Sequence, residues 1–344
     1  MHTFSEIIGQ DNIKAHLQNA LRTGAVSHAY LLAGDEGSGK KTIASLFAAA
    51  LQCERPQERD GLLEPCGRCL SCIQAEAGSQ PDILTVEHAK PNTIGVDDIR
   101  KMRADVQIKP YRSDRKLYLI PEAEKMTAQA QNALLKTIEE PPAYAVILLL
   151  ANGLSAFLPT VLSRCVVLRT QPVPEEAIAD WLVKKSGVAP QKAALCAGFA
   201  AGSPGRAAAL AGDETFETVC AQTVELLRRL PSMDAHDIAQ AAQTLTQQGT
   251  DLSAVLSFLQ TWYRDVLRIK ATGGTERLIF TEEVQYSKEA ADSLSYERLQ
   301  KITEAFDLAA RRRRANGNAE LILEMLLLSL REQSRGGAPA GRSQ

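Results

Sequence analysis

The segment "LLAGDEGSGKKT", residues 31–42, has the spacing of a phosphate-binding loop. Gly34, Gly39 and Lys40 fit the pattern G-x-x-x-x-G-K, and Gly37 adds a further flexible position. Glycines let backbone N–H groups curl around a phosphate, and the start of a following helix adds a favourable dipole. An apolar run before the loop and a helical pattern after it predict a strand–loop–helix context, so we expect nucleotide binding here. The alternative is a glycine-rich turn without a ligand.

Two positions that would bind Mg²⁺ are altered. The residue after the loop lysine normally offers a hydroxyl to Mg²⁺, but here it is Lys41, and Thr42 comes one position too late. The stretch "KLYLIPEAE", residues 116–124, is the best candidate for the strand that should end in an acidic pair. It has Pro121 in place of the metal-binding aspartate and leaves Glu122 as the second acid. Because Mg²⁺ neutralises charge during phosphoryl transfer, we predict that ATP is bound but not hydrolysed.

Four cysteines follow with the spacing C-x12-C-x2-C-x2-C: Cys53, Cys66, Cys69 and Cys72. Four thiolates at this spacing can form a tetrahedral zinc site. An iron–sulfur cluster of the bacterial ferredoxin type would need a fourth cysteine where Glu76 stands. Residues 54–80 contain few apolar side chains, so a structural Zn²⁺ would supply the folding energy of this segment. Unliganded thiols are the remaining alternative.

The elements that must position these residues alternate between strand and helix. Apolar runs predict strands at 29–34, 82–88, 115–124, 145–152 and 164–170. Amphipathic patterns predict helices at 12–24, 40–53, 96–107 and 129–142. This alternation predicts a parallel sheet with helices on both faces. After about residue 171 the strand signals largely stop, and the rest of the chain is predicted to be helical.

Composition excludes several classes of protein. Of the 344 residues, 45 % are hydrophobic and 23 % are charged, which is typical of a globular domain. A formal charge of −2 argues against a protein held to nucleic acid mainly by net charge. No apolar run is long enough for a membrane span, and "MHTFSEIIGQ" lacks the features of a signal peptide. We therefore expect a cytoplasmic protein with reduced thiols.

Taken together, these motifs resemble those of AAA+ clamp-loader subunits of bacterial DNA polymerase III. The resemblance spans nearly the whole chain and rests on the phosphate loop, the four cysteines, "FSEIIGQ" (4–10), "SHAYLLAG" (27–34), "NALLKTIEEPP" (132–142), "LPTVLSRC" (158–165), "GSPGR" (202–206) and "NAELILEMLLLSL" (318–330). It implies an AAA+ P-loop domain at 1–170 with a zinc module at 53–80, a helical lid at 171–212, an all-helical collar at 213–333 and a disordered tail at 334–344. In this family the ATP-hydrolysing gamma/tau-type subunits keep the threonine and the Asp-Glu pair, so Lys41 and Pro121 favour the delta-prime type.

The resemblance also implies roles for single residues. The arginine of the Ser-Arg-Cys motif, Arg164, would act in trans as an arginine finger in a neighbour's ATP site. The alternative is an ordinary ion pair within the domain or at an interface. Arg206 matches an arginine that senses bound nucleotide, although packing of the lid is an equal alternative. Asn152 is either a sensor of the γ-phosphate or a turn residue.

The implied function is a non-catalytic subunit of the DNA polymerase III holoenzyme. It would assemble with gamma/tau and delta subunits in the nucleoid-associated replisome, and would reach the sliding clamp and primed DNA through the complex. The first alternative is an active gamma/tau-like ATPase subunit. A second is a zinc-dependent nucleic-acid binder, which the net charge disfavours. The arginine run at 311–314 is interpreted as a helix end or a collar contact, with a DNA patch as the alternative.

Overall fold

The computed structural model describes residues 3–86, 92–247, 252–275, 278–280, 283–315 and 317–335. The end of the strand predicted at 82–88 and most of the tail predicted at 334–344 lie outside these residues. The chain divides into two compact units. The first comprises Met1–Gly187 with Ala200–Ala208, and the second comprises Val188–Phe199 with Ala209–Gln344. This division does not test whether 171–212 acts as a separate lid, which stays a prediction together with the other domain limits.

The first unit contains every strand and helix predicted for it, with ends that differ by a few residues. Its strands are β1 (Ala29–Ala33), β2 (Gln57–Arg59), β3 (Leu62–Glu64), β4 (Ile83–Thr85), β5 (Lys116–Ile120), β6 (Ala145–Ala151) and β7 (Val166–Arg169). Its helices are α1 (Asp11–Thr23), α2 (Lys40–Gln52), α3 (Leu70–Glu76), α4 (Val96–Val106), α5 (Ala128–Glu139), α6 (Pro159–Leu162) and α7 (Glu175–Ser186). The hairpin formed by β2 and β3, and the short helices α3 and α6, are additions to the predicted elements.

Five of the strands form a parallel sheet in the order β4-β5-β6-β1-β7. Every residue of β1, β5 and β6 is buried, as apolar runs in a covered parallel sheet require. Alternate residues of one strand enter different cores: Leu31 packs with residues of α4 and α5, and Leu32 packs with Leu17 and Phe47. Helices therefore cover both faces, and the predicted α/β fold with a parallel sheet is confirmed.

Parallel strands give the sheet two chemically distinct ends. At its carboxyl end the chain leaves β1, β5 and β6 at Gly34, Pro121 and Asn152. At its amino end the chain enters β7 from Arg164. Helix α2 starts at the carboxyl end and, over 13 residues or about 20 Å, leads away to Cys53. We call these two regions the carboxyl end and the amino end of the sheet.

Every secondary-structure element described in the second unit is a helix, which confirms the predicted class. Its helices are α8 (Pro190–Phe199), α10 (Glu214–Arg229), α11 (Ala235–Gln247), α12 (Leu252–Thr272), α13 (Val284–Ser293), α14 (Tyr296–Arg314) and α15 (Ala319–Arg335), and α9 (Pro204–Gly212) belongs partly to each unit. Phe199 contacts the rings of Phe216, Phe258 and Phe280 in its core. Trp262 is buried and stacks on Tyr286, so this tryptophan packs helices together. Among the described helices, none combines the length and apolar character of a membrane span.

Candidate functional site

The phosphate loop lies between β1 and α2, as the spacing predicts, and it is closely packed around Gly37. Gly37 and Gly39 have positive φ angles of 74° and 92°. A Cβ added at Gly37 would lie 2.5 Å from Ser203 Oγ, so no larger side chain fits there. The backbone N–H of Gly205 donates to the carbonyl of Gly37 at 2.8 Å. The "GSPGR" segment is thus packed directly on the loop.

Lys40 is held in place by oxygen atoms of its own chain. Its Nζ donates to the carbonyl oxygens of Gly34 (2.5 Å) and Asp35 (2.7 Å) and to Asn152 Oδ1 (3.1 Å). Burial lowers the pKa of Lys40, and the nearby carboxylates, Glu124 first among them, only partly offset this effect. The proposed sensor Asn152 therefore lies where it could contact a phosphate held by Lys40.

A cavity of about 650 Å³ opens beside the loop at the carboxyl end of the sheet. Parallel sheets commonly bind ligands at this end. The cavity is lined by Gly37, Gly39, Lys40, Lys41, Thr42, Pro121, Glu122, Glu124, Asn152 and Trp181, among others. The structure thus brings together the loop and the altered metal positions. It adds Glu124 and Trp181, which sequence reasoning missed.

The segment after β5 shows how Glu124 reaches the cavity. Pro121 follows the strand, and Glu122 adopts a left-handed conformation with φ 48°. A single 3-10 turn, Ala123–Lys125, comes next. The carboxylate of Glu122 pairs with Lys125 Nζ at 2.7 Å. Glu124 Oε2 is buried and has no hydrogen-bond partner among the described residues.

Arg206 is not among the residues that line this cavity. Its backbone N–H donates to Ser203 Oγ at 3.3 Å, and the residue is exposed. No ion pair connects its guanidinium to any described residue. Its predicted role as a nucleotide sensor stays a prediction.

The four cysteines converge on one point: Cys66, Cys69 and Cys72 are three positions apart, and Cys53 joins them from 13 positions before Cys66. Their Sγ atoms all lie within 4.8 Å of one another, and those of Cys66 and Cys72 are 3.9 Å apart. Zn–S bonds of about 2.3 Å at tetrahedral angles separate sulfur atoms by about 3.8 Å. None of the cysteines forms a disulfide. This group could hold a metal ion.

Backbone N–H groups donate hydrogen bonds to the sulfur atoms of this group. The N–H of Arg68 donates to Cys66 Sγ and is the largest cause of a Cys66 pKa lowered to about 6. Burial raises the pKa values of Cys53 and Cys72. N–H groups of Cys66, Cys69 and Cys72 each donate to the sulfur of another cysteine in the group. Such donors favour thiolate, which is the form that binds metal.

The hairpin formed by β2 and β3 connects the four-cysteine segment, residues 53–80, to other parts of the first unit. Strands β2 and β3 are joined by Asp60 and Gly61, both with positive φ. Glu64 is fully buried and accepts hydrogen bonds from the backbone N–H groups of Phe4 (2.8 Å) and Ser5 (3.0 Å). Sequence reasoning missed this hairpin, although Asp-Gly is a strong hairpin signal.

Arg164 lies in the turn between α6 and β7. Its Nη2 pairs with Glu139 Oε1 at 2.9 Å, and its Nη1 donates to the carbonyl of Thr160 at 3.0 Å. The side chain is nevertheless 39 % exposed, and that of Glu139 is 45 % exposed. The ion pair expected as the alternative role is therefore present, in a form that another molecule can reach.

The strand register separates Arg164 from the phosphate loop of its own chain. Tyr30 of β1 is opposite Val166 of β7, and Ala33 is opposite Arg169. The loop follows Ala33, whereas Arg164 precedes Val166. The paired strands alone span about 10 Å at about 3.3 Å per residue. Arg164 and the loop thus lie at opposite ends of the sheet.

Two family models match the chain. One, described as DNA polymerase III, delta subunit, matches residues 9–174, and the other, described as its C terminal, matches residues 221–332. The DNA polymerase III subunit delta' of Bacillus subtilis (strain 168) is 30 % identical over 328 residues, which are 94 % of this chain and 96 % of that protein.

A tau subunit and a solved structure are also similar to the chain. The DNA polymerase III subunit tau of the same organism is 26 % identical over 97 % of this chain and 62 % of its own length. Among solved structures, a gamma-subunit-related protein of DNA polymerase III from Thermotoga maritima is 22 % identical, with a TM-score of 0.49, over 93 % of this chain and 99 % of that one.

Proposed function

The chain belongs to the delta-prime family of DNA polymerase III subunits, and we propose that it completes the ATP site of a neighbouring clamp-loader subunit with Arg164. Its neighbours in this proposal are gamma/tau and delta subunits, and the similarity to a tau subunit supports this choice. The sliding clamp and primed DNA are reached through the assembled complex.

The position of Arg164 carries this proposal. It is exposed, and it lies at the end of the sheet opposite the phosphate loop of its own chain. A guanidinium that stabilises charge on a γ-phosphate must approach that phosphate closely, which Arg164 cannot do within its own subunit. The planar fork of arginine suits a phosphate in a neighbour, and the pair with Glu139 is exposed enough to exchange.

The test is ATP hydrolysis and clamp loading by a complex reconstituted with gamma/tau and delta subunits. With Arg164→Ala, hydrolysis at the adjoining site should fall by about 10³-fold, the lower range for arginine fingers. Arg164→Lys should be nearly as inactive as Arg164→Ala, because lysine keeps the positive charge but lacks the planar, two-pronged guanidinium. Arg100→Ala, which removes an exposed arginine of α4, is the matched control.

The outcome that contradicts the proposal is clear. A complex carrying Arg164→Ala that assembles normally, hydrolyses ATP at the wild-type rate and loads clamps normally would rule out the arginine finger. Assembly is checked separately by size-exclusion chromatography, so that a failure to assemble is not mistaken for a loss of catalysis.

The chain's own phosphate loop, in the same proposal, binds ATP without hydrolysing it. The pre-positioned Lys40 and the cavity support binding. Pro121 supports the loss of hydrolysis, because a proline offers no ligand to Mg²⁺ at the end of β5. The four cysteines would hold a structural Zn²⁺, consistent with the separation of their sulfurs.

An active gamma/tau-like ATPase is the second candidate. It is favoured by the similarity to tau over 97 % of this chain and by the intact loop lysine. Phosphate release by the isolated chain distinguishes the two candidates. Mg²⁺-dependent turnover that disappears with Lys40→Ala would support the ATPase, and its absence in the wild type would support the proposed non-hydrolysing subunit.

A further inference from the structure

Three buried polar atoms that have no hydrogen-bond partner in the described part of the chain belong to residues that line the phosphate-loop cavity. They are Ser38 Oγ, Glu124 Oε2 and Trp181 Nε1. Buried polar groups in native proteins are nearly always paired, so a cluster of exceptions around one cavity points to a ligand. Glu124 is the only carboxyl group among the three, and a buried carboxyl oxygen without a hydrogen bond is costly.

Lys40 does not satisfy this need, although the charge of Glu124 acts on it. An ammonium group has three hydrogen-bond donors. Lys40 Nζ directs them to Gly34, Asp35 and Asn152. Glu124 Oε2 is therefore available to a ligand that enters the cavity.

A phosphate alone cannot be that partner, because two anions repel each other at close range. A divalent cation between them removes the repulsion. Mg²⁺ is commonly bound by one or two carboxylates together with phosphate oxygens and water. Glu6, Glu36 and Glu122 also line the cavity, and Glu122 already pairs with Lys125.

We propose that Glu124 binds a divalent cation shared with the phosphates of the bound nucleotide, at a position displaced from the strand end where Pro121 stands. This inference rests on the proposed binding of nucleotide by the loop. It concerns affinity alone: the metal contact moves from the strand end to the 3-10 turn Ala123–Lys125, and no hydrolytic step is assigned to it.

Calorimetric titration of the full chain with ATP, in Mg²⁺ and in EDTA, tests the proposal. Wild-type protein should bind ATP at least about tenfold more tightly in Mg²⁺, as expected for one charge-assisted contact. In Glu124→Gln this difference should vanish, while affinity in EDTA stays equal or rises because a repulsive charge is gone. Glu139→Gln, at the amino end of the sheet, is the control and should keep the full Mg²⁺ effect.

A second readout follows the cation itself. The electron paramagnetic resonance signal of Mn²⁺ should report one bound ion when ATP is present, and that ion should be lost in Glu124→Gln. Circular dichroism checks that the variant is folded.

Each contrary result has a distinct meaning. Retention of the full Mg²⁺ effect in Glu124→Gln overturns the inference and leaves nucleotide binding intact. Loss of the effect only in Glu122→Gln also overturns it, since the cation would then be on Glu122. Failure of the wild type to bind ATP in either buffer overturns nucleotide binding and this inference together.

Discussion

Lys40 and Arg164 lie at opposite ends of the same sheet, and the protein holds these two cations in different ways. Lys40 is half-buried, and three oxygen atoms of its own chain orient its ammonium group. Arg164 is 39 % exposed and has one surface ion pair and a carbonyl contact. The carboxyl end holds its cation in place beside a cavity, whereas the amino end presents a group outwards.

This contrast separates two kinds of pre-organisation. A residue that binds a ligand inside its own subunit can be fixed before the ligand arrives, because the site is complete within one chain. A residue that acts on a neighbour must remain accessible, so strong internal contacts would work against it. We therefore expect that a substitution at one end of the sheet leaves the function of the other end unchanged.

Loss of the metal should have the largest effect. The double variant Cys69→Ser/Cys72→Ser should lose Zn²⁺, and with it a binding free energy that is about 10 kcal/mol in zinc-finger peptides. Hydrogen exchange should show loss of protection in the segment 57–76. ATP affinity at the carboxyl end should change by less than about threefold, since the module contributes no residue to the cavity.

Cys220→Ser, in the second unit, is the control for this variant. Zinc is measured by atomic absorption. Wild-type protein that contains no zinc, yet shows full protection of the segment 57–76, would contradict the structural role of the metal.

Removal of the loop lysine should rank second. Lys40→Ala should weaken ATP binding by the isolated chain by about 10- to 100-fold, because hydrogen bonds to charged groups contribute about 1.5–3 kcal/mol. In the reconstituted complex, hydrolysis at the neighbour's site should stay near the wild-type rate. If ATP hydrolysis at the neighbour's site fell as well, the carboxyl end and the amino end of the sheet would be coupled rather than independent.

The contact between loop and helix α9 gives a smaller effect. A Cβ added at Gly205 would lie 2.8 Å from the Gly37 carbonyl oxygen and 2.9 Å from its Cα, and backbone atoms cannot easily yield. Gly205→Ala should therefore lower the free energy of unfolding by about 1–3 kcal/mol, as measured in urea. Gly212→Ala is the matched control in the same helix, where an added Cβ meets nothing within 4 Å. Equal stability of the two variants would mean that the loop has moved away from α9.

Short-range sequence patterns predicted the carboxyl end well. Apolar runs identified β1, β5 and β6, and glycine spacing identified the loop, because both features are encoded within a few residues. The cysteine spacing likewise predicted the cluster that the fold assembles. These predictions needed no knowledge of distant contacts.

Contacts that depend on a local turn or on long-range packing were not predicted. Glu124 lines the cavity from a turn that begins with Glu122 in a left-handed conformation, which few non-glycine residues adopt. The hydrogen bonds from Phe4 and Ser5 to Glu64 join residues about 60 positions apart, so no local pattern indicates them. The pair between Arg164 and Glu139 was expected only as an alternative without a named partner.

Removal of the ion pair between Arg164 and Glu139 should have the smallest effect on stability, and it tests most directly whether the two ends of the sheet differ in pre-organisation. Exposed ion pairs typically contribute about 0–1 kcal/mol, so Glu139→Gln should change the free energy of unfolding by less than about 0.5 kcal/mol. ATP hydrolysis at the neighbour's site should stay the same or rise slightly. The reason is that the Arg164 guanidinium no longer has to break its ion pair with residue 139 before it binds a phosphate. If Glu139→Gln instead slows the neighbour as much as Arg164→Ala does, Glu139 must orient the guanidinium. The amino end would then be as strongly pre-organised as the carboxyl end.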